Sequence, residues 1–589
     1  MKKNDILILV ALFGLWLAWP LLDRHIIKKY FFHTPPPSAE QPAEPAVVST
    51  PSAAPELKLP EKASDVAPVE PEVAPEVAAA IAEQPEARKI LLENERIRLT
   101  LSSHGAAVLS AELKDYPLTA EKGSSPVVLD FSTRPALAYE ALPGLDDRWD
   151  FRETVESANQ VTLERETPAG AILRRTYSLD DGYQVTVTDT FVSQKTEPVL
   201  LPSHSVRLGP MFNLPGEEAA RGVVNQGVDS LSPGGEKVRN WGGKIAGWFA
   251  TTQKEKGLPK LPVRLEWPLE AALEWVSVKN KYFVQILDPD GGADRGLVVA
   301  RRRVSDEEAA NPAFKPKGAS VEEVSAVLYF GELALPPHEP VTRTLTYYVG
   351  PKKYTELNRY GKHKVDVMEF GMWAPIGKLL LSIMNAIFRV IPSYGVAIML
   401  LTILIRVVFW PVTHKSTESM KKMQAIQPLI NEVRQKYKDN AQKQQQEIMA
   451  LYKAHKVNPV GGCLPMIIQI PVFIALFVVL RSAIELRFAP FLWIRDLSRP
   501  ENLLAGLLPF GLSLNILPLV MAATMAWQQK LTPSGGDPNQ QKMMMFMPVM
   551  MLVLFYNFAA GLVLYWTTNQ CLMIAQQVLM QRKKKAAVA

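Results

Sequence analysis

Apolar residues are segregated along this chain, and that segregation limits what it can fold into. Beyond Met372 they form runs long enough to cross a bilayer, whereas the preceding stretch alternates apolar and polar residues. Long runs must meet lipid or other helices, and alternating segments suit a half-buried sheet. The run from Val396 to Pro411 is interrupted by Arg406. A charge at the centre of a spanning helix costs roughly 2.5–3.5 kcal/mol on insertion scales. Arg406 therefore either reaches the interface or faces a water-lined cavity. A helix rises about 10 Å from Arg406 to Thr413, and an arginine stem covers much of that distance. From the residues alone, snorkelling and a functional cavity both stand.

The N-terminus, Met1-Lys-Lys-Asn-Asp followed by an apolar run to Leu22, has the layout of an export signal without a small-x-small cleavage site. Residues 1–22 are expected to be an uncleaved anchor. Residues 23–88, rich in Pro, Ala and Glu with few aromatics, are too polar to offset chain entropy and are expected to form a disordered tether. Residues 89–352 carry alternating segments such as Tyr183-Gln-Val-Thr-Val187, separated by the turn signals Ser103-His-Gly105, Asp180-Asp-Gly182 and Asp288-Pro-Asp-Gly291. That pattern predicts an antiparallel β-sandwich. The only two cysteines, Cys463 and Cys571, lie outside this region, so its fold cannot depend on a disulfide.

Helical periodicity returns after Tyr354. Residues 353–392 form a linker and one helix with a polar stripe of Lys378, Ser382, Asn385 and Arg389, a pattern expected of a helix lying in the membrane interface. Membrane helices are predicted at 393–413, 463–484, 507–527, 543–558 and 562–580, which with the anchor makes six. The intervening 414–459 carries two 3-4 patterned segments expected to pack as a helical hairpin, with Pro428 kinking the first. Nine Lys and Arg residues in that loop, and Arg582 to Lys585 in the tail 581–589, outnumber the three arginines between Leu486 and Leu504. This asymmetry puts both termini and the hairpin in the cytoplasm and the β domain outside. Arg24, Lys28 and Lys29 just beyond the first span oppose it, but the other loops outweigh them.

No P-loop, nucleophile elbow or zinc-ligand spacing is present, and the net charge of +6 is modest for 589 residues. Neither an enzyme nor a nucleic-acid binder is indicated. What the spans offer is polar residues among apolar ones. Thr402 lies one turn before Arg406, Gln469 sits between two prolines, and Thr567 to Gln570 interrupt the last span. Singly, each fits an interhelical hydrogen bond; together they can line one hydrated cavity. An anion transporter or channel built on Arg406, and an anchored carbohydrate enzyme, are the competing readings. No internal repeat supports the first, and no carboxylate or histidine pair supports the second.

Several motifs in order carry a resemblance: Leu451-Tyr-Lys-Ala-His-Lys-Val-Asn-Pro-Val-Gly-Gly-Cys-Leu-Pro465, Gln469-Ile-Pro471, Glu485-Leu-Arg487, Leu492-Trp-Ile-Arg-Asp-Leu497, Gln541-Lys-Met-Met-Met-Phe-Met-Pro548 and Gly561-Leu-Val-Leu-Tyr565. They resemble the YidC family of membrane-protein insertases, in its Gram-negative form with a periplasmic β-supersandwich. The resemblance implies an inner-membrane protein that receives hydrophobic segments in a cytoplasm-facing groove and releases them sideways into lipid. The groove would hold Arg406, Thr402, Gln469, Thr568, Asn569 and Tyr565, and the apolar slide beside it Phe473, Met521, Leu554, Phe555 and Trp566. Implied partners are nascent membrane proteins, the Sec translocon, the ribosome through the cytoplasmic loops and basic tail, and membrane lipid. No cofactor, metal or specific nucleic acid is implied. Phe558-Ala-Ala-Gly561 departs from the family's usual Phe-Pro-Ser-Gly, and Trp566 stands where a second Tyr is common.

Overall fold

The computed structural model describes residues 84–588 except 158, 216–225, 242–244, 246–262, 270–271, 303–320, 439, 456, 458–463, 505–512 and 532–537. The anchor and nearly all of the tether lie outside the described residues. Where the tether ends, Arg88 ties the chain down. Its backbone N–H donates to Ser103 Oγ at 3.0 Å, and its guanidinium reaches Asp150.

Among the described residues between Lys89 and Pro351 the named elements are strands, with only Ile245 helical, and every pairing between these strands is antiparallel. A nine-stranded sheet is its backbone. From one edge it runs Arg239–Asn240, Gly227–Leu231, Trp275–Lys279, Phe283–Pro289, Pro340–Pro351, Gln184–Ser193, Ala171–Leu179, Gln160–Glu166 and Arg152–Ser157. Sheets of six, four and two strands complete the region. Gln184–Ser193 buries every second residue, as an amphipathic strand should, whereas Phe283–Pro289 is buried on both faces. The turns use the chemistry the sequence advertised. Asp180 Oδ1 accepts from the N–H groups of Gly182 (2.8 Å) and Gln184 (3.0 Å). Gly105 adopts φ +67°, and a Cβ there would meet the Asp147 backbone at 2.7 Å.

From Ala374 the chain is helical: α1 Ala374–Val390, α2 Tyr394–Val408, α3 Trp410–Ala425, α4 Gln427–Lys436, α5 Ala441–Ala454, α6 Leu464–Ser482, α7 Ile516–Leu531, α8 Pro538–Phe555 and α9 Ala560–Val588. Helix α1 buries Gly377, Leu380, Leu381 and Met384 at 3-4 spacing, and Gly377 lets it approach Val479 of α6 closely. With the turn before it, Gly371–Val390 is long and apolar enough to cross a membrane, and Tyr394–Val408, Gln469–Ser482 and Met545–Phe555 are shorter apolar helices. Ser393 caps α2 by accepting from Val396 N–H. Residues 507–512 of the span expected to start there lie outside the described residues, and α7 begins at Ile516. There the Glu501 carboxylate accepts the N–H groups of Ile516 (2.9 Å) and Leu517 (2.6 Å), so an acidic side chain remote in sequence sets the helix start.

The hairpin's first arm is broken rather than bent. Helix α3 ends at Ala425 and α4 begins anew, with Pro428 in its first turn, where a missing N–H costs nothing. Asn440 caps α5 by accepting from Lys443 N–H at 3.0 Å. Ile426, Ile430 and Val457, backed by Met423, Ile448, Leu451 and Tyr452, form the hairpin's own small core.

Sheets and helices share one larger core. It passes from the strands through Val365, Val367, Met368 and Phe370 into α1. At the junction Arg487 donates to the carbonyls of Pro117 (2.6 Å) and Leu118 (3.1 Å), and Tyr282 donates to Ser498 Oγ at 2.9 Å.

Candidate functional site

Helix α9 packs against α2, α6 and α7, and this contact assembles the polar residues picked out from the sequence. Thr402 is buried, and its hydroxyl donates to the Ile398 carbonyl of its own helix at 2.6 Å. One turn on, Arg406 is half-buried. Its Nε is buried without a hydrogen-bond partner, and no carboxylate pairs with it among the described residues. Tyr565 is the titratable group within electrostatic reach of it. Gln469 on α6 donates through Nε2 to the Tyr565 hydroxyl at 3.0 Å, closing a link from α6 through α9 to the arginine of α2.

Along α9, Asn569 and Gln570 are buried, Thr568 is half-buried, and Thr567 spends its hydroxyl on the Val563 carbonyl at 2.8 Å. The Asn569 amide donates to Met573 Sδ at 4.0 Å, a soft and weak acceptor. Gln570 Oε1 and Gln576 Nε2 are buried and unsatisfied. Gln576 was missed from the sequence. Its spacing of seven from Asn569 places it two turns along the same face, the signal that could have found it. Buried polar atoms are rarely left unpaired, and each costs about 1–3 kcal/mol when dry. Such amides on α9, the helix that brings Tyr565 within electrostatic reach of Arg406, are open to water or to a polar guest.

The predicted slide residues divide. Phe473, Phe555 and Trp566 form one aromatic cluster, with centroids 6.2 Å (Phe473–Phe555), 5.0 Å (Phe473–Trp566) and 5.5 Å (Phe555–Trp566) apart. Leu554 packs beside them half-buried, whereas Met521 is wholly buried in the helix core. Outside this cluster the helices present apolar side chains outward: Val407 and Val408 on α2, Trp527 on α7, and Met545, Phe546 and Val553 on α8 are all exposed. No water-facing surface keeps so many together, so these are faces made for lipid.

Two family models match the chain. The one described as 60Kd inner membrane protein covers residues 386–587, and the YidC periplasmic domain covers residues 89–208. The membrane protein insertase YidC of Geobacter metallireducens is 32% identical over 528 residues, an alignment covering 86% of each chain. The chain belongs to the YidC family of membrane protein insertases. A second insertase YidC, from Syntrophobacter fumaroxidans, is 38% identical over 278 residues, 46% of this chain and about half (47%) of that relative. Among solved structures, an active YidC insertase with its first transmembrane domain resolved matches 85% of this chain and 97% of its own at 17% identity, with a TM-score of 0.34. Membership assigns the strands to a periplasmic domain and the helices to the insertase region of a bacterial inner-membrane protein. Insertion moves a polypeptide without changing a covalent bond, so this is a site for binding and positioning.

Proposed function

We propose that hydrophobic segments of nascent proteins enter a cytoplasm-facing groove around Arg406 and leave sideways across the Phe473, Phe555 and Trp566 cluster into the bilayer. The observation that carries this reading is the unpartnered Nε of Arg406, on a helix packed against α9, which itself carries the unsatisfied amides of Gln570 and Gln576. A fixed charge in a wet half-channel lowers the cost of drawing a polar tail partway into the membrane. Burial of the substrate's apolar surface, at about 25 cal/mol per Å², then supplies the driving force, and no nucleotide is needed. In this reading Thr402, Gln469, Tyr565, Thr568 and Asn569 keep the groove hydrated, and Leu554 and Met521 belong to the slide.

The topology we propose has six spans, counting residues 1–22, with both termini and the hairpin in the cytoplasm of a Gram-negative cell. Helix α1 lies in the interface, and the periplasmic domain is a β-supersandwich. Nascent membrane proteins are the substrates. The Sec translocon is the partner at the membrane, and the ribosome docks on the cytoplasmic loops and basic tail. A photocrosslinker at position 406 during synthesis of a membrane protein tests the groove. Capture of nascent chain supports it, and capture of a small anion or of nothing would favour a transporter. Single cysteines at Lys438 and Lys584 should label only from the cytoplasm and one at Asp181 only from outside.

A further inference from the structure

Where the periplasmic domain meets the helices there is a cavity of about 240 Å³, lined by Asp115, Tyr116, Lys353, Tyr394, Glu485 and Arg487 among others. Glu485 stands out in it. Its Oε2 is buried and has no hydrogen-bond partner, while Oε1 receives only a long contact, 3.5 Å, from Asn385 Nδ2. Burial raises its carboxyl pKa, more than its own backbone N–H and the nearby Lys353 lower it. The two cations nearby are not equivalent. Arg487 spends its guanidinium on the carbonyls of Pro117 and Leu118 and stacks on Phe488 at 4.3 Å. Lys353 is within electrostatic reach of Glu485 but forms no ion pair with it among the described residues. The cavity thus offers an unpaired carboxylate oxygen, two tyrosine rings and a cation held apart from the acid.

Its location narrows the guest. Tyr394 begins α2, and Glu485 follows the end of α6. On the topology proposed above, on which this inference rests, both sit at the outer membrane surface. Val390 and Ile391, just before Tyr394, are exposed apolar side chains, as is Leu492 beyond Phe488. Headgroups belong at this level, with acyl chains against such surfaces.

We propose that this cavity is a headgroup site for an aminophospholipid, seating the primary ammonium of an ethanolamine headgroup on Glu485 and directing its phosphate toward Lys353. An ammonium brings three donors and no acceptor, which matches the unpartnered Oε2, the Tyr394 hydroxyl and the Asp115 carboxylate. Aromatic rings at Tyr116 and Tyr394 suit a cation as well. A trimethylated headgroup has no N–H to give, and a glycerol headgroup has no charge for Glu485.

Native mass spectrometry of the full chain, loaded from mixed micelles of dioleoyl phosphatidylethanolamine, phosphatidylcholine and phosphatidylglycerol at equal mole fraction, tests the site. The ethanolamine lipid should be retained about tenfold over phosphatidylcholine, the worth of one charge-assisted hydrogen bond. Glu485→Gln, which keeps the shape, should bring the ratio near one. On the unaltered protein, retention should fall with each added N-methyl group, a series that needs no variant to fold. Equal retention of the three lipids, a flat methylation series, or an unchanged ratio in Glu485→Gln would overturn the site. Displacement by millimolar glycerophosphoethanolamine would overturn the lipid as its source. Cysteine labelling at Lys438 and Asp181 in intact cells, before the protein is extracted, separates this inference from the topology. Loss of lipid selectivity with correct labelling sinks only the headgroup site.

Discussion

Two arginines, one wholly buried and one half-buried, divide the molecule by purpose. Arg175, in the periplasmic domain, is wholly buried and wholly answered. Its Nε and Nη2 donate to the two Asp189 oxygens at 2.7 and 2.8 Å, and Nη1 donates to the Leu137 carbonyl at 2.6 Å. The Tyr139 ring lies 4.5 Å from its guanidinium carbon, and the Tyr139 hydroxyl donates to Asp189 Oδ2 at 2.7 Å. Arg406, among the helices, has an unpartnered Nε and, among the described residues, no ion pair with an acid. The first residue is part of a closed network that fixes one packing of two sheets. The second is a charge left available. A buried charge with every donor satisfied belongs to the fold, and one left open is a candidate for work on something that comes and goes.

The largest effect expected from this contrast is on stability. Asp189→Ala strands the Arg175 charge in the sheet core and should destabilise the periplasmic domain by about 3–5 kcal/mol, read from thermal unfolding of the purified full chain by β-sheet circular dichroism. Replacing both partners, Arg175→Met with Asp189→Leu, should recover most of that loss. If Asp189→Ala unfolds no earlier than the parent, the closed network does not hold the fold and the contrast collapses.

Next in size is a pH effect in the same domain. His204 Nδ1–H donates to the Pro202 carbonyl at 3.0 Å, which leaves Nε2 to accept from Arg343 Nη1 at 2.6 Å. Burial is the main cause that holds its pKa down to about 4, and Arg343 adds to it. A depressed pKa means the unfolded chain binds the proton first. Stability is therefore complete above about pH 6.5 and lost as pH falls toward 4, by roughly 3 kcal/mol at most. Lys352, held down to about 7 by burial, has finished its own loss above that window. Unfolding midpoints measured from pH 7 to pH 4 should fall less steeply in His204→Gln than in the parent. Identical slopes would remove His204 from the account.

How much of this was legible in the sequence follows from locality. Alternation revealed strands such as Gln184–Ser193, and 3-4 spacing revealed α1 and the hairpin helices, because each pattern needs only near neighbours. Phe283–Pro289 is buried on both faces and shows no alternation, and its neighbour Pro340–Pro351 joins it from far along the chain. The Arg175–Asp189 pair falls on the buried phase of its strands, between Leu173 and Tyr177 and between Val187 and Phe191, but alternation alone does not say which charge answers which. The start of α7 at Ile516 is held by Glu501, 15 residues earlier in the chain, a link no local pattern reveals. At the candidate site, Arg406, Thr402, Gln469 and the polar run of α9 announced themselves as polar residues in apolar surroundings. The Glu485 cavity did not, since Asp115 and Tyr116 come to it from a strand of the other region.

Arg406 gives the third test, from the open side of the comparison. As a snorkelling anchor it would tolerate Lys and Gln alike. As a charge that serves substrates, Arg406→Lys should retain insertion, because the fork geometry matters less than the charge. Arg406→Gln should lose about tenfold for substrates whose translocated tails carry Asp or Glu, and Arg406→Glu more. Unfolding of the helical region should move by less than about 1 kcal/mol, since no ion pair is broken. Insertion of matched substrates with acidic or neutral tails, at equal abundance of each variant, reads this out. Equal losses for both kinds of tail would leave Arg406 a hydrating or packing residue.

The smallest expected effect concerns the seam between the two regions. Tyr282 is buried at the end of a hairpin of the nine-stranded sheet, and its hydroxyl donates to Ser498 Oγ at 2.9 Å, while Ser498 in turn donates to Asp496 Oδ1 at 2.7 Å. The loop carrying Ser498 also holds the start of α9, because the Leu497 and Arg499 carbonyls accept from the N–H groups of Gly561 and Ala560 at 2.8 Å each. A strand of the periplasmic domain is thus linked by short steps to the helix that presents Tyr565 and Asn569. Tyr282→Phe removes one hydrogen bond and leaves the ring in place, which should cost about 0.5–1.5 kcal/mol. The informative quantity is where that cost appears. If the regions are independent, only the β-sheet transition shifts. If the seam couples them, hydrogen exchange at Ala560 and Gly561 speeds up in the same variant, and the closed region helps to hold the open one in shape. Unchanged exchange at those two amides would mean that the helices keep their arrangement without the sheet.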